Sequence, residues 1–234
     1  KTILVRTGKG GKDGKFNCSP DFVFDDSEAA IDFILTDRYK YIPYVNRIVD
    51  TIKHTQFPFV ISVGGLARSG KSTFIQILTK HIVKKGGTCQ VVPIDNWLVG
   101  IEERRDNMTV RERYKYVEIE SDVRKLLKGE CIPMRIYDSY SRCIVAESSI
   151  SLDNATCVIL DGVITLDIGG LRSLSDIKIY LEIDENIRKQ RFYSFYRWKN
   201  LSDTEIEQLY QKRLIDEFAI VQDSKQYANI IVKI

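Results

Sequence analysis

Two kinds of apolar run alternate along most of this chain. Short continuous runs at Val60–Val63, Gln90–Ile94, Cys157–Leu160, Ile177–Ile183 and Asn229–Val232 read as strands buried on both faces, the signature of a covered parallel sheet. Longer amphipathic stretches separate them: Thr73–Lys84, Val110–Lys128, Asn186–Lys199 and Asp203–Val221. Gly86-Gly87 and Gly129 stand where helices end, and Ile132–Ile136 reads as a short extended piece. Strands separated by helices predict an α/β fold, a doubly wound parallel sheet flanked by helices on both faces. No internal repeat interrupts the pattern.

The first 57 residues follow a different rhythm and predict a small N-terminal α/β extension, with the main domain at 58–234. Ile3–Val5 and Phe22–Phe24 read as strands on either side of a Gly/Lys-rich loop, Gly8–Lys15. Asp26 or Ser27 is placed to cap a helix running to Leu35, and a second helix is expected over Ile42–Lys53, with Pro58 closing the segment. Apolar residues make up 44% of the chain and charged residues 29%, an ordinary globular balance that argues against disorder. No apolar run approaches the length of a membrane span, no signal peptide precedes the first strand, and no initiator Met is present. A net charge of +3 without a dense basic stripe argues against a nucleic-acid partner. The five cysteines, Cys18, Cys89, Cys131, Cys143 and Cys157, form no CxxC pair. Cys89, Cys131 and Cys157 adjoin apolar runs and read as core thiols of a reducing cytoplasm. His54 and His81 lie apart from any Cys or Asp cluster, which gives no metal reading for either.

One stretch carries specific chemistry. Gly65-Leu66-Ala67-Arg68-Ser69-Gly70-Lys71-Ser72 fits GxxxxGK[ST], with a strand before it and a helix after it. Glycines let the backbone curl so that Gly65, Ala67, Arg68, Ser69, Gly70 and Thr73 can present N–H groups to phosphate oxygens, reinforced by the helix N-terminus. Lys71 supplies a point charge to the outer phosphates and Ser72 a hydroxyl to Mg²⁺. Neither a DxxG followed by an NKxD base reader nor helicase extras appear, so GTPases and helicases are not indicated.

The motifs downstream follow a recognisable order. After the phosphate loop come Pro93-Ile94-Asp95-Asn96-Trp97, Ile136-Tyr137-Asp138 with Ser141-Arg142, then Val158-Ile159-Leu160-Asp161-Gly162. An Arg-bearing helix with Arg188, Arg191 and Arg197 and the closing Ser224–Ile231 complete the series. This succession resembles the uridine kinase, phosphoribulokinase and bacterial pantothenate kinase group over residues 58–234. The resemblance implies a P-loop kinase that uses ATP and Mg²⁺ to phosphorylate a hydroxyl of a small molecule, and by analogy a homo-oligomer. It implies Asp95 as the base beside the acceptor hydroxyl, and Asp161 with Ser72 and Asp95 as holders of Mg²⁺. It implies Lys71, Arg191 and Arg197 as charge stabilisers, Arg188 at the nucleotide, and Tyr137, Asp138, Tyr140, Arg142 and Trp97 around the acceptor. The acceptor stretch departs from uridine kinases: it is shorter, it lacks their His, and Trp97-Leu98 replaces the usual Phe-Tyr.

The amino-terminal piece resembles another family. Thr2–Gly10, with its VRTG turn, followed by Pro20–Ser27 and Glu28–Leu35, is similar to the closing part of haloacid-dehalogenase-type histidinol-phosphate and heptose-bisphosphate phosphatases. The nucleophilic DxD of that family is absent. The resemblance implies a phosphatase–kinase fusion of which this is the later part, and so a sugar or sugar phosphate acceptor. The alternatives are a uridine or cytidine kinase acting on a nucleoside, and a nucleotide-binding module without catalysis.

Overall fold

The computed structural model describes residues 2–6, 20, 22–24, 27–35, 38–52, 58–105, 108–138 and 141–234. The Gly8–Lys15 loop, Cys18, His54 and Tyr140 lie outside them. Two compact units divide at Pro43 and Tyr44. In the first, β1 (Ile3–Val5) and β2 (Phe22–Phe24) pair in parallel, followed by α1 (Ser27–Leu35). Phe33 of α1 packs its ring against Phe22 and Phe24 at 4.8 and 5.1 Å between centroids.

The second unit takes in most of α2 (Ile42–Ile52) and then alternates strand and helix. It runs β3 (Phe59–Gly64), α3 (Lys71–Lys84), β4 (Cys89–Pro93), α4 (Val110–Arg113), α5 (Tyr116–Leu127), β5 (Ile132–Asp138), β6 (Cys143–Ile150), β7 (Cys157–Asp161) and α6 (Gly169–Leu174). It closes with β8 (Ile177–Glu182), α7 (Glu185–Trp198), α8 (Asp203–Arg213), α9 (Ala219–Ser224) and β9 (Ile230–Lys233). Five strands form one parallel sheet in the order β4-β7-β3-β8-β9, which is the doubly wound α/β sheet that the apolar runs predict.

Strand alternation sends residues to opposite faces. Val60, Val92, Val158 and Leu160 pack with Ile119, Val123 and Leu126 of α5 and Leu171 of α6. Ile61, Val63, Cys157 and Ile159 are fully buried on the other side. There α3 meets β4 and β7 and buries Phe74, Ile75, Leu78 and Ile82, each worth roughly 2 kcal/mol of gross burial. That packing holds the first turn of α3 against the strand ends, where the phosphate loop lies.

Four expectations change. Val110–Lys128 is two helices: Tyr114 is extended (φ −108°, ψ 140°) and bridges Leu98, while the Val99 amide donates to the Arg113 carbonyl at 3.0 Å. The bridge takes the backbone groups that a continuous helix would need. Asp203–Val221 likewise breaks into α8, a π-helical turn over Leu214–Phe218, and α9. Ile132–Ile136 extends into an antiparallel hairpin with β6, a strand whose mostly exposed residues give no apolar alternation to read. Cys131 is exposed, in the turn before β5, and is no core thiol, whereas Cys157 is buried. No described helix is long and apolar enough to cross a membrane.

Asp167, just before α6, ties three of these elements together. It accepts two hydrogen bonds from Arg111 of α4 at 2.8 Å and one from the Tyr116 hydroxyl of α5 at 2.7 Å. Burial pushes its carboxyl up, but the bonds from Arg111 and Tyr116 together outweigh burial and hold it below the usual carboxylate range. A carboxyl depressed on folding stabilises above its unfolded value, and that contribution is lost as pH falls through the folded value. Asp167→Asn should cost about 1–2 kcal/mol near neutral pH, read as a lower urea midpoint. The gap should narrow below about pH 4, and a gap that stays constant into strong acid would assign the effect to packing instead.

Candidate active site

The phosphate loop leaves the central strand β3 and curls before α3. Gly65 is needed at φ 132°, because a Cβ there would meet the Leu181 carbonyl of β8 at 2.7 Å. Gly70 caps α3 in the left-handed region at φ 98°. It offers no side chain to the amides of the first turn, and that turn carries no acidic residue. The Ser69 hydroxyl is buried without a hydrogen-bond partner. Open helix amides, an orphaned hydroxyl and no anion of the protein's own make the loop fit a phosphate chain.

Lys71 opens α3 with its ammonium buried. It donates to the carbonyls of Gly65 at 2.8 Å and Leu66 at 3.1 Å. Burial lowers its pKa, while the charges of Asp161 and Asp95 work the other way. Asp161 ends β7, in register with Val63 of β3 and Pro93 of β4. Burial pushes the Asp161 carboxyl up, Lys71 pulls it down, and Asp95 adds to the rise. Two carboxylates facing one buried site, with the Ser72 hydroxyl beside them, suit a hard divalent cation that takes its other ligands from phosphate and water.

Asp95 sits in a 3₁₀ turn, Ile94–Trp97, at the end of β4. The Tyr114 hydroxyl donates to its Oδ1 at 2.7 Å. Burial raises the Tyr114 pKa far above its ordinary value, so the phenol remains a neutral donor. These groups share a cleft of about 260 Å³ with Ala67, Arg68, Ser72, Tyr137, Arg142 and Asp161. Arg68 lies over the Phe195 ring at 3.2 Å from its centroid.

Other expected site residues sit elsewhere. Trp97 is buried in the core and donates to Asp122 at 3.0 Å, so it packs and does not line the cleft. Asp138 makes a turn, its carboxylate accepting from the Ser141 amide at 2.6 Å, and this turn presents Arg142. Arg188 is buried behind the loop, forked onto Glu185 at 2.6 and 2.5 Å, with a bond to the Ala67 carbonyl at 3.3 Å. Arg191 is half-buried on α7 and does not line the cleft. Arg197 is exposed and paired with Asp203 at 2.7 and 3.0 Å.

Sequence reasoning passed over several cleft residues: Arg104, Arg113, Tyr114, Arg213 and Glu217. Arg104 donates to the Tyr137 hydroxyl at 2.9 Å. Arg113 pairs with Asp216, and Arg213 with Glu217 at 2.9 Å. The acidic pair Asp216-Glu217 beside Arg213 was a visible signal, but a regular amphipathic helix explained it equally well.

Comparison with known proteins follows this geometry. The Phosphoribulokinase / Uridine kinase family matches residues 60–234. A uridine kinase of Leuconostoc citreum is 26% identical over 190 residues, covering 75% of this chain and 87% of that one. Two solved structures share the fold. One, from Bacillus stearothermophilus, is described as a possible uridine kinase (TM-score 0.56, 20% identity, 84% of this chain and 98% of that one). The other, from Silicibacter sp. TM1040, is described as a fructose transport system kinase (TM-score 0.63, 17% identity, 80% and 98%). The phosphatase-like reading of the amino-terminal piece gains no support, and the sugar acceptor inferred from it loses its footing. The chain belongs to the Phosphoribulokinase / Uridine kinase family and is an ATP-dependent kinase that phosphorylates a hydroxyl group.

Proposed function

We infer that this kinase transfers the γ-phosphate of ATP to a hydroxyl of a pyrimidine nucleoside, uridine or cytidine. One observation carries the transfer chemistry: Asp95 and Asp161, at the ends of neighbouring strands, face Lys71 and Ser72 across one cleft. The nucleoside rests on the relatives that are uridine kinases and on Tyr137, a half-buried aromatic along the cleft whose ring suits a planar base.

In this reading the phosphate loop amides and Lys71 hold the ATP phosphates. Ser72 and Asp161, with Asp95, would hold Mg²⁺, which when bound draws charge from the phosphate oxygens. Asp95 accepts the proton of the acceptor hydroxyl, and Tyr114 fixes the direction of its carboxylate. Arg68, stacked on Phe195, lies with Lys71 beside the transferring group and offsets charge that spreads over its oxygens. Positioning and charge carry the rate, since the protein forms no covalent bond to the phosphoryl group.

ADP release with uridine and cytidine, set against pantothenate, glycerate and hexoses, tests the acceptor. Turnover with a nucleoside alone supports the reading, and turnover only with another class overturns it. Asp95→Asn should lower kcat by about 10²–10⁴-fold while a nonhydrolysable ATP analogue binds as before. Unchanged turnover would remove Asp95 from the chemistry. Tyr114→Phe should lower kcat by roughly tenfold with the KM for ATP unchanged, because one charge-assisted hydrogen bond orienting the base is lost. A rise in KM for ATP at constant kcat would assign Tyr114 to nucleotide binding.

A further inference from the structure

Beside the acceptor end of the cleft lies a second cavity of about 210 Å³. Four arginines, Arg104, Arg113, Arg142 and Arg213, line both. Arg105 and Lys212 add two more cations, and Asp216 is the only carboxylate among its described lining residues. The cavity is thus an annexe with a large surplus of positive charge.

Not all of that charge is available. Arg113 and Arg213 are spent on Asp216 and Glu217. Arg104 is fixed by the Val99 carbonyl at 3.0 Å and the Tyr137 hydroxyl at 2.9 Å. Arg142 and Arg105 are different: among the described residues no carboxylate forms an ion pair with either, although Glu112 feels the charge of Arg105. Arg142 is also held there at a cost. Its backbone is left-handed at φ 63°, a region that a long side chain rarely adopts. The conformation is enforced from both sides: its amide donates to the Asp138 carbonyl at 2.8 Å, and its carbonyl accepts from the Ile101 amide at 3.1 Å. A strained residue with an unpaired guanidinium, aimed by a built turn at a basic cavity, is the pattern of a ligand clamp.

Neighbouring cations feel the same field. Burial lowers the Lys199 pKa, the charges of Arg142, Arg68 and Arg213 lower it further, and Asp138 works the other way. Packing so many cations together costs free energy that an anion would return.

We propose that this annexe is a subsite for a phosphate-class anion, distinct from the phosphate loop, with Arg142 and Arg105 as its principal contacts. The planar guanidinium of Arg142 can fork two hydrogen bonds onto a phosphate or carboxylate. A nucleoside carries no anionic group, so the anion is a separate small one bound beside the acceptor. The inference rests on the phosphotransfer reading above for the placement of the acceptor, and on its own geometry for the charge of the ligand.

The test titrates inorganic phosphate into the full chain saturated with a nonhydrolysable Mg-ATP analogue, followed by calorimetry. The phosphate loop is then filled, so binding there is blocked. One phosphate should bind, and both Arg142→Ala and Arg105→Ala should weaken it by about tenfold. Arg105 is exposed, so its variant tests the site without threatening the fold. The proposal falls if phosphate does not bind once the nucleotide site is full, or if both variants bind it as tightly as the parent. Phosphate that raises the KM for uridine at constant kcat occupies the acceptor site itself and overturns a separate subsite. Phosphate that binds without competing assigns it to a separate anion. Absent ADP release with phosphate still bound would sink the nucleoside kinase reading and leave the subsite standing.

Discussion

The site depends on burying one lysine. An ammonium removed from water is costly, and Lys71 is 9% exposed. It is tolerated because the loop that carries it also solvates it: the Gly65 and Leu66 carbonyls accept its protons, and Asp161 and Asp95 supply opposite charge. Each of these partners comes from the order of the sheet. β3 is central, so its loop has β7 with Asp161 on one side and β8 with Leu181 on the other. The close approach of Leu181 excludes any side chain at Gly65. A different strand order would leave the cation without its carboxylate or the loop without its wall.

The arginine-lined side of the cleft is built on another principle. Its walls are held by polar contacts between segments far apart in sequence. The Val110 amide donates to Asp216 at 2.7 Å, Arg113 pairs with that same carboxylate, and Arg213 pairs with Glu217. Two consecutive acidic residues on a regular α-helix would point about 100° apart. The π-helical turn over Leu214–Phe218 changes that spacing, and both carboxylates reach arginines of the cleft wall. The turn is thus the local irregularity that lets α8 and α4 share one ionic cluster.

This contrast explains what could be read from the sequence. The phosphate loop is a local device: spacing of glycines, lysine and serine suffices, and it emerges where expected between β3 and α3. Asp95 and Asp161 were expected together because strand ends in a parallel sheet converge on one edge, and both line the cleft. Tyr114 was hidden because its neighbours have helical periodicity from Val110 to Lys128. Only the tertiary bridge to Leu98 breaks that helix and turns the phenol to Asp95. Trp97 misled for the opposite reason: it is adjacent in sequence to Asp95, yet the 3₁₀ turn sends the two side chains to different places, one to the cleft and one to Asp122.

The charge of the cleft follows from the same division of labour. Among its described lining residues six cations face three carboxylates, on a chain whose net charge is only +3. Most of the surplus therefore sits where the ligands belong, not over the surface at large. Like charges gathered in a partly buried cleft oppose folding, and the fold offsets this only in part, with Asp216 and Glu217. The remainder is positive charge that an anionic ligand in the cleft would offset. Arg142 belongs to that remainder, its unfavourable backbone angle fixed by two hydrogen bonds so that its guanidinium stays at the rim.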